Sequence, residues 1–192
     1  MANVILGLLL LHPQTIYDLN KQFESSVSLF YSASLGALRS ALLGLLSRGH
    51  VEFDEIVERG RAKKVYRITP EGREAFAAWM RGPISGSNLE TAALSKLFFL
   101  GSIPEAAERR AILADIADRA AEQLSVLEAT EASASSVPYP PEFAQVAHYR
   151  LRTLAYGLGS TRFALEFFAG LRDAELVPDA ASAGDPGGLA DD

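Results

Sequence analysis

The chain has 192 residues, and 48% of them are hydrophobic, which is enough for one mid-sized folded domain or two small ones. It has no cysteine, which excludes disulfides, thiolate metal sites and cysteine nucleophiles and fits a reducing cytoplasm. The net charge is −6, yet the first 81 residues hold ten Lys and Arg against eight Asp and Glu. The acidic excess therefore lies in the later part, which DNA would repel.

The first two helices are predicted from the apolar residues on either side of Pro13. The run from Val4 to Leu11 is capped by Asn3 and is too short, with no cation before it, for a signal peptide or a membrane span. A second helix is expected to start near Gln14. Its apolar stripe consists of Ile16, Tyr17, Leu19 and Phe23.

The third helix is the stretch on which the functional interpretation depends. Ser34 can cap it, Gly49 follows its end, and its buried face is predicted to hold Leu35, Leu38, Leu42, Leu45 and Leu46. The predicted solvent side is small, with Arg39 on its flank: Gly36, Ala37, Ser40, Gly44 and Ser47. Because small side chains permit close approach to a DNA groove, we expect DNA contacts from Ser34, Arg39 and Ser40. The alternative is that the glycines only allow tight helix packing.

A hairpin with a basic tip is predicted after this helix. An alternating strand from Val51 to Val57 precedes a turn at residues 59–61, and residues 65–68 return as a second strand. Cations beside an exposed helix suit the phosphates of a duplex, although a solvated charge run is the alternative. The cations near the tip are Arg59, Arg61, Lys63, Lys64 and Arg67, and the first four are expected to contact DNA.

A fourth helix completes the first predicted domain, with Thr69 as its cap and Phe76 and Trp79 in the core. The following Gly, Pro and Ser residues predict a linker. The expected fold is mainly α: a winged helix-turn-helix DNA-binding domain with a two-stranded wing at 1–81, a linker at 82–88, a helical dimerisation domain at 89–173 and a disordered tail at 174–192.

These patterns, in this order, resemble the PadR family of bacterial transcriptional regulators. The resemblance covers residues 1 to about 81 and rests on VILGLLL, IYDLNKQF, SLGAL, LLSRGHVEF and KKVYRITPEGREAFAAWM. The later stretch LETAALSKLFFLG resembles the helical C-terminal region of the branch that includes virulence-gene activators. The resemblance implies a winged helix that binds DNA and regulates transcription.

One position departs from the family pattern. Family members commonly have Tyr directly after the S-x-G-x-L motif, whereas this chain has Arg39. If the position faces DNA, the guanidinium can contact guanine in a bidentate manner. If it faces the core, the side chain must extend along its stem to reach water.

The last predicted helix, from about Glu142 to Arg172, carries two apolar stripes on nearly opposite sides. The leucine stripe is Ala147, Leu151, Leu154, Leu158, Thr161, Leu165 and Phe168, and the aromatic stripe is Tyr149, Tyr156, Phe163 and Phe167. One side can pack within the chain, and the other is expected to pack on a second copy, with a monomeric bundle as the alternative. The expected dimer interface is Leu151, Leu154, Tyr156, Leu158, Phe163, Leu165, Phe167 and Phe168.

The sequence lacks the residue patterns typical of catalysis or metal binding, since its histidines lie far apart and no G-x-S-x-G or phosphate-loop motif is present. We therefore expect no enzyme activity, cofactor or metal. The main hypothesis is a homodimeric cytoplasmic repressor that binds a pseudo-palindromic operator in double-stranded DNA. Two alternatives stay open: a winged-helix module that binds an acidic protein surface, and a regulator with a small-molecule effector in an apolar pocket at the dimer interface.

Overall fold

The computed structural model describes residues 1–58, 60–86, 88–136 and 139–175. Its helices are α1 (Ala2–Leu11), α2 (Ile16–Ser25), α3 (Leu35–Ser47), α4 (Pro70–Arg81), α5 (Leu89–Phe98), α6 (Ala106–Ser136) and α7 (Ala144–Ala174), and its strands are β1 (Gln14–Thr15), β2 (Val51–Glu58) and β3 (Arg61–Ile68). The chain forms two compact units, Met1–Ile103 and the residues from Pro104 onward. Within the described residues, no helix is long and apolar enough to cross a bilayer.

The first unit is a winged helix, which confirms the predicted fold class. β2 and β3 form the two long strands of the wing, paired antiparallel from Val51 opposite Ile68 to Glu58 opposite Arg61. The prediction of two strands was incomplete, because β1 pairs with the other edge of β3 and gives the order β1-β3-β2.

Hydrogen bonds of Gln14 and Thr15 hold the short strand β1 between α1 and α2. The buried Gln14 amide donates from Nε2 to the Leu8 carbonyl at 2.9 Å and accepts from Gln22 Nε2 at 2.8 Å. Thr15 then caps α2, with its Oγ1 accepting from the Asp18 amide at 3.2 Å. The second helix therefore starts two residues later than expected from Gln14.

The core of the first unit lies between α1 and the helices and sheet around it. Leucines of α1, α2 and α3 are buried with Phe76 and Met80 of α4, whereas Trp79 is only half-buried against the Phe76 ring, 5.6 Å between centroids. The predicted Asn3 cap was wrong, since α1 begins at Ala2 and Met1 is its N-cap, without a side-chain hydrogen bond.

Helix α5 packs with the winged helix. The buried Lys96 donates from Nζ to the Gly82 carbonyl at the end of α4. Phe99, just after α5, makes an edge-on ring contact with Phe76 at 5.6 Å, and it lies so close to Gly7 of α1 that a Cβ there would be 2.6 Å from the ring. Residues 82–103 thus belong to the same compact unit as the winged helix, and the second unit begins at Pro104.

The second unit consists of two antiparallel 31-residue helices, α6 and α7. Arg109 at the start of α6 donates from Nη2 to Glu175, at the end of α7, at 2.8 Å, and Arg162 Nη2 lies 3.2 Å from Glu128 midway along the pair. The bounds of α7, Ala144–Ala174, confirm the long last helix that was predicted from about Glu142 to Arg172. A disordered tail was expected at 174–192, and its residues from 176 onward lie outside the described residues.

Candidate nucleic-acid interface

Helix α3 is held between two well-formed ends. The Ser34 hydroxyl accepts from the Ala37 amide at 3.2 Å and caps the first turn, as predicted. After the helix, Gly49 adopts φ +69°, and the His50 amide donates back to the Leu45 carbonyl at 3.0 Å. Glycine tolerates this left-handed conformation, so the chain can turn sharply from α3 into β2.

Leu35, in the first turn of α3, was predicted to be buried but is 37% exposed. One face of α3 is open to solvent and contains Gly36, Arg39, Ser40, Leu43 and Ser47. We call these five residues the α3 open face. Ala37 and Gly44, which were predicted on the solvent side, are half-buried. The open face is therefore rotated toward Arg39, whose exposure means that it does not face the core.

Helix α3 itself carries no carboxylate, because no Asp or Glu occurs in the sequence between Glu24 and Glu52. The Arg48 guanidinium lies against the last turn, where a Cβ on Gly44 would be 3.5 Å from Nη1. A cation there is favourable near the negative end of the helix dipole. The helix thus presents Arg39 and Arg48 to solvent with no acidic residue beside them in sequence.

Two of the wing's cations bond within the wing itself. Lys64 Nζ lies 3.6 Å from Glu55 and 4.0 Å from the centroid of the Phe53 ring. Arg67 Nε donates to Glu52 at 2.8 Å, and its Nη1 donates to Asp54. Acids on β2 therefore offset part of the positive charge of β3.

Lys63 lies on the opposite face of the sheet from Lys64, because consecutive strand residues point to opposite faces. It lies close enough to the start of α2 to act on Asp18. Hydrogen bonds from the Thr15 side chain and backbone hold the pKa of Asp18 below its usual value, and the charge of Lys63 lowers it further. Arg61 is placed only by its backbone, opposite Glu58, and Arg59 lies outside the described residues.

The sequence analysis also missed the exposure of Leu43, Arg48 and Tyr17 in the first unit. Leu43 is 61% exposed, and a helical projection centred on Arg39 and Ser40 would have found it. Arg48 is exposed at the end of α3. Tyr17 was predicted to pack in the apolar stripe of α2, but it is exposed.

The candidate dimer residues separate into two environments. Leu158 and Phe168 of the leucine stripe are buried, Leu154 and Leu165 are half-buried, and Leu151 is exposed. The aromatic stripe is exposed along its whole length, with Tyr156 at 78% and Phe163 at 68%. Two of its rings, Phe163 and Phe167, stack at 5.9 Å between centroids.

Comparisons with known proteins match the first unit to one family. Residues 5–78 match the model of the transcriptional regulator PadR-like family. No curated protein sequence matches the chain significantly. Similar solved structures include Bacillus subtilis PadR with operator DNA (21% identity, 90% of this chain, 96% of that chain, TM-score 0.43), the same protein with p-coumaric acid (19%, 91%, 98%, 0.39), and the Vibrio cholerae virulence activator AphA (24%, 90%, 98%, 0.39). Residues 5–78 are therefore a PadR-like domain.

Proposed function

We propose that this chain is a PadR-like transcriptional regulator that binds a pseudo-palindromic operator in double-stranded DNA as a homodimer, and that it acts as a repressor in the cytoplasm. The observation that carries the proposal is the α3 open face, which exposes Arg39 and Ser40 with no carboxylate nearby in sequence and lies on a helix followed directly by the basic wing. Phosphates favour such a surface, and an α-helix fits the major groove.

Each part of the surface has a role in the proposal. Arg39 and Ser40 read base edges in the major groove, while Ser34 and Arg48, at the two ends of α3, contact phosphates. The cations near the tip of the wing contact phosphates or enter the adjacent minor groove. These cations are Arg59, Arg61, Lys63 and Lys64. Residues 1–81 would thus bind DNA.

The homodimer in the proposal is supported by the aromatic stripe of α7. Exposed rings at Tyr149, Tyr156, Phe163 and Phe167 lie on one side of the helix, while Leu158 and Phe168 are buried on another. A row of exposed aromatic residues is typical of a surface that a partner covers. A second copy of the same helix would cover it, and the α6–α7 pair would then be the core of the dimerisation domain expected at 89–173.

A gel-shift titration of sheared genomic DNA at several salt concentrations tests DNA binding. Replacing Arg61, Lys63 and Lys64 together with Ala should weaken binding to every sequence and flatten the salt dependence, by about 0.9 in logarithmic slope for each lost phosphate contact. The matched control replaces three exposed cations of the second unit, Arg110, Arg119 and Arg162. Unchanged affinity of the wing variant at low salt would contradict the proposal.

The same titration separates DNA binding from the alternative of an acidic protein partner, because only a DNA-binding surface predicts a steep fall in DNA affinity with salt. A small-molecule effector is a second candidate role, supported by the exposed rings of the aromatic stripe. One probe is p-coumaric acid, with which Bacillus subtilis PadR has been solved. Release of bound DNA as its concentration rises would support an effector role.

A further inference from the structure

Leu43 stands out among the leucines of α3. Leu38, Leu42 and Leu45 are buried, whereas Leu43 is 61% exposed in the middle of the same helix. It lies four residues after Arg39 and three after Ser40, spacings that place side chains next to each other on one helix face. The most exposed apolar side chain of α3 is therefore beside the residues proposed to read base edges.

The rest of the α3 open face offers few groups for reading bases. Gly36 has no side chain, and the Ser47 hydroxyl donates to the Gly44 carbonyl of its own helix at 3.0 Å. Arg39 and Ser40 are the polar readers that remain on this face, and Leu43 is its one large apolar group. An apolar contact is thus the one kind of base readout that Leu43 can add.

Among the four bases, thymine presents an apolar group in the major groove, the 5-methyl. We propose that Leu43 packs against the 5-methyl of a thymine and sets a preference for thymine at one position of each half-site. This inference rests on the proposed DNA binding and extends it to a named base.

The spacing along α3 also limits where this thymine lies. Four residues advance a helix by about 6 Å, and successive bases of one strand are about 3.4 Å apart. A base contacted by Arg39 and the thymine contacted by Leu43 are therefore about one or two base steps apart. Because Arg39 can form a bidentate contact to guanine, the expected half-site holds a guanine close to the thymine.

The test uses the full-length protein and a duplex selected from a randomised pool. Each thymine of the selected duplex is replaced in turn by deoxyuridine, which removes the 5-methyl and leaves every hydrogen-bonding group in place. For the unmodified protein, one substitution should weaken binding about fourfold, the value for one buried methyl group, and the same change in both half-sites should weaken it about 15-fold.

The Leu43→Ala variant should bind the thymine and deoxyuridine duplexes within a factor of two of each other. Leu29→Ala removes a more exposed leucine outside α3 and should keep the full methyl sensitivity, as a matched control. If the unmodified protein binds DNA but ignores deoxyuridine at every position, or if Leu43→Ala keeps the sensitivity or changes the oligomeric state, the inference is wrong. Failure of the unmodified protein to bind any duplex would overturn the proposed function together with it.

Discussion

Arg67 on β3 donates from Nε to Glu52 on β2 at 2.8 Å, across the pair of strands that forms the wing. The same guanidinium also contacts Asp54, so one cation is held by two carboxylates. Both carboxylates are more than half exposed, and such pairs add little to stability. Their main effect is on the field of the wing, because they reduce the positive charge that a phosphate backbone would meet.

Removing the two negative charges should therefore strengthen non-specific DNA binding. In the double variant Glu52→Gln with Asp54→Asn, Arg67 becomes available for a phosphate, and the logarithmic salt slope should steepen by about 0.9. Gel-shift titrations at several salt concentrations give the slope. The control, Asp118→Asn with Glu122→Gln, makes the same change of charge in the second unit, and an equal gain there would mean that the wing is not the contact surface.

The wing shows what its sequence could predict and what it could not. Strand alternation and the turn residues predicted β2 and β3, because both signals are local. The pairing of Arg67 with Glu52 depends on the register between strands, which joins residues 15 positions apart. A count of cations along β3 therefore overstated the positive charge of the wing.

The start of α4 makes a second, structural prediction. The Gly72 amide donates to Thr69 Oγ1 at 3.0 Å, and Thr69 in turn donates to the Gly49 carbonyl at 2.7 Å. A Cβ on Gly72 would lie 2.0 Å from the His50 carbonyl oxygen, a backbone atom that cannot move aside. Gly72→Ala should lower the free energy of unfolding by about 3 kcal/mol, as overpacking of a buried site does.

Thermal and denaturant unfolding of the full chain measure this loss. Gly101→Ala is the control, because nothing lies within 4 Å of the Cβ it would add, and its stability should stay within about 0.5 kcal/mol of the unmodified protein. Equal stability of the two variants would mean that the contact between Gly72 and His50 is looser than described.

The capping box at the start of α2 predicts a pH-dependent contribution to stability. Hydrogen bonds from Thr15 hold the pKa of Asp18 below its usual 3.8, so the ionised carboxylate is the form that the fold favours. Its contribution is present above that usual pKa and is lost as the pH falls through the lower pKa of the folded state. Asp18→Ala should thus cost about 1 kcal/mol near neutral pH and progressively less below about pH 4.

Unfolding by denaturant at a series of pH values measures the difference between Asp18→Ala and the unmodified protein. Lys21→Ala, on the same helix, is the control and should show no decline in its effect between pH 5 and about pH 3. A cost of Asp18→Ala that stays constant down to the lowest pH would contradict the role of the ionised carboxylate.

Arg39 allows a test of base readout that keeps the charge. Arg39→Lys retains a cation for phosphates but loses the planar fork that contacts guanine at two atoms. Non-specific affinity should stay nearly constant, while discrimination at one guanine of each half-site should fall by about 1 to 3 kcal/mol. Binding to duplexes mutated one base pair at a time measures this, and unchanged discrimination would place Arg39 on the backbone.

The rotation of the α3 open face shows why side-chain readout was harder to predict than the helix itself. The caps at Ser34 and Gly49 are local signals, and both were correct. Hydrophobicity alone could not tell Leu43 from its buried neighbours, because α3 packs against α1 and α2; only its helical position relative to Arg39 and Ser40 carried a signal. The Arg48 guanidinium, in turn, covers Gly44 and helps to make it half-buried.

The aromatic stripe makes the last prediction, which concerns assembly. Phe163 is 68% exposed and stacks on Phe167, so a charge at this position should not disturb the packing of α7 on α6. If a second copy covers the stripe, Phe163→Glu would bury a carboxylate in an apolar interface, a change that favours the separated subunits. The variant should be monomeric by light scattering at concentrations where the unmodified chain is a dimer, with the same helical circular dichroism. Leu29→Glu, at another exposed apolar residue, should stay dimeric.

Because a two-fold operator needs both subunits, Phe163→Glu should also bind a complete operator no more tightly than a single half-site. A monomeric unmodified chain, or a dimeric Phe163→Glu variant, would contradict this assembly.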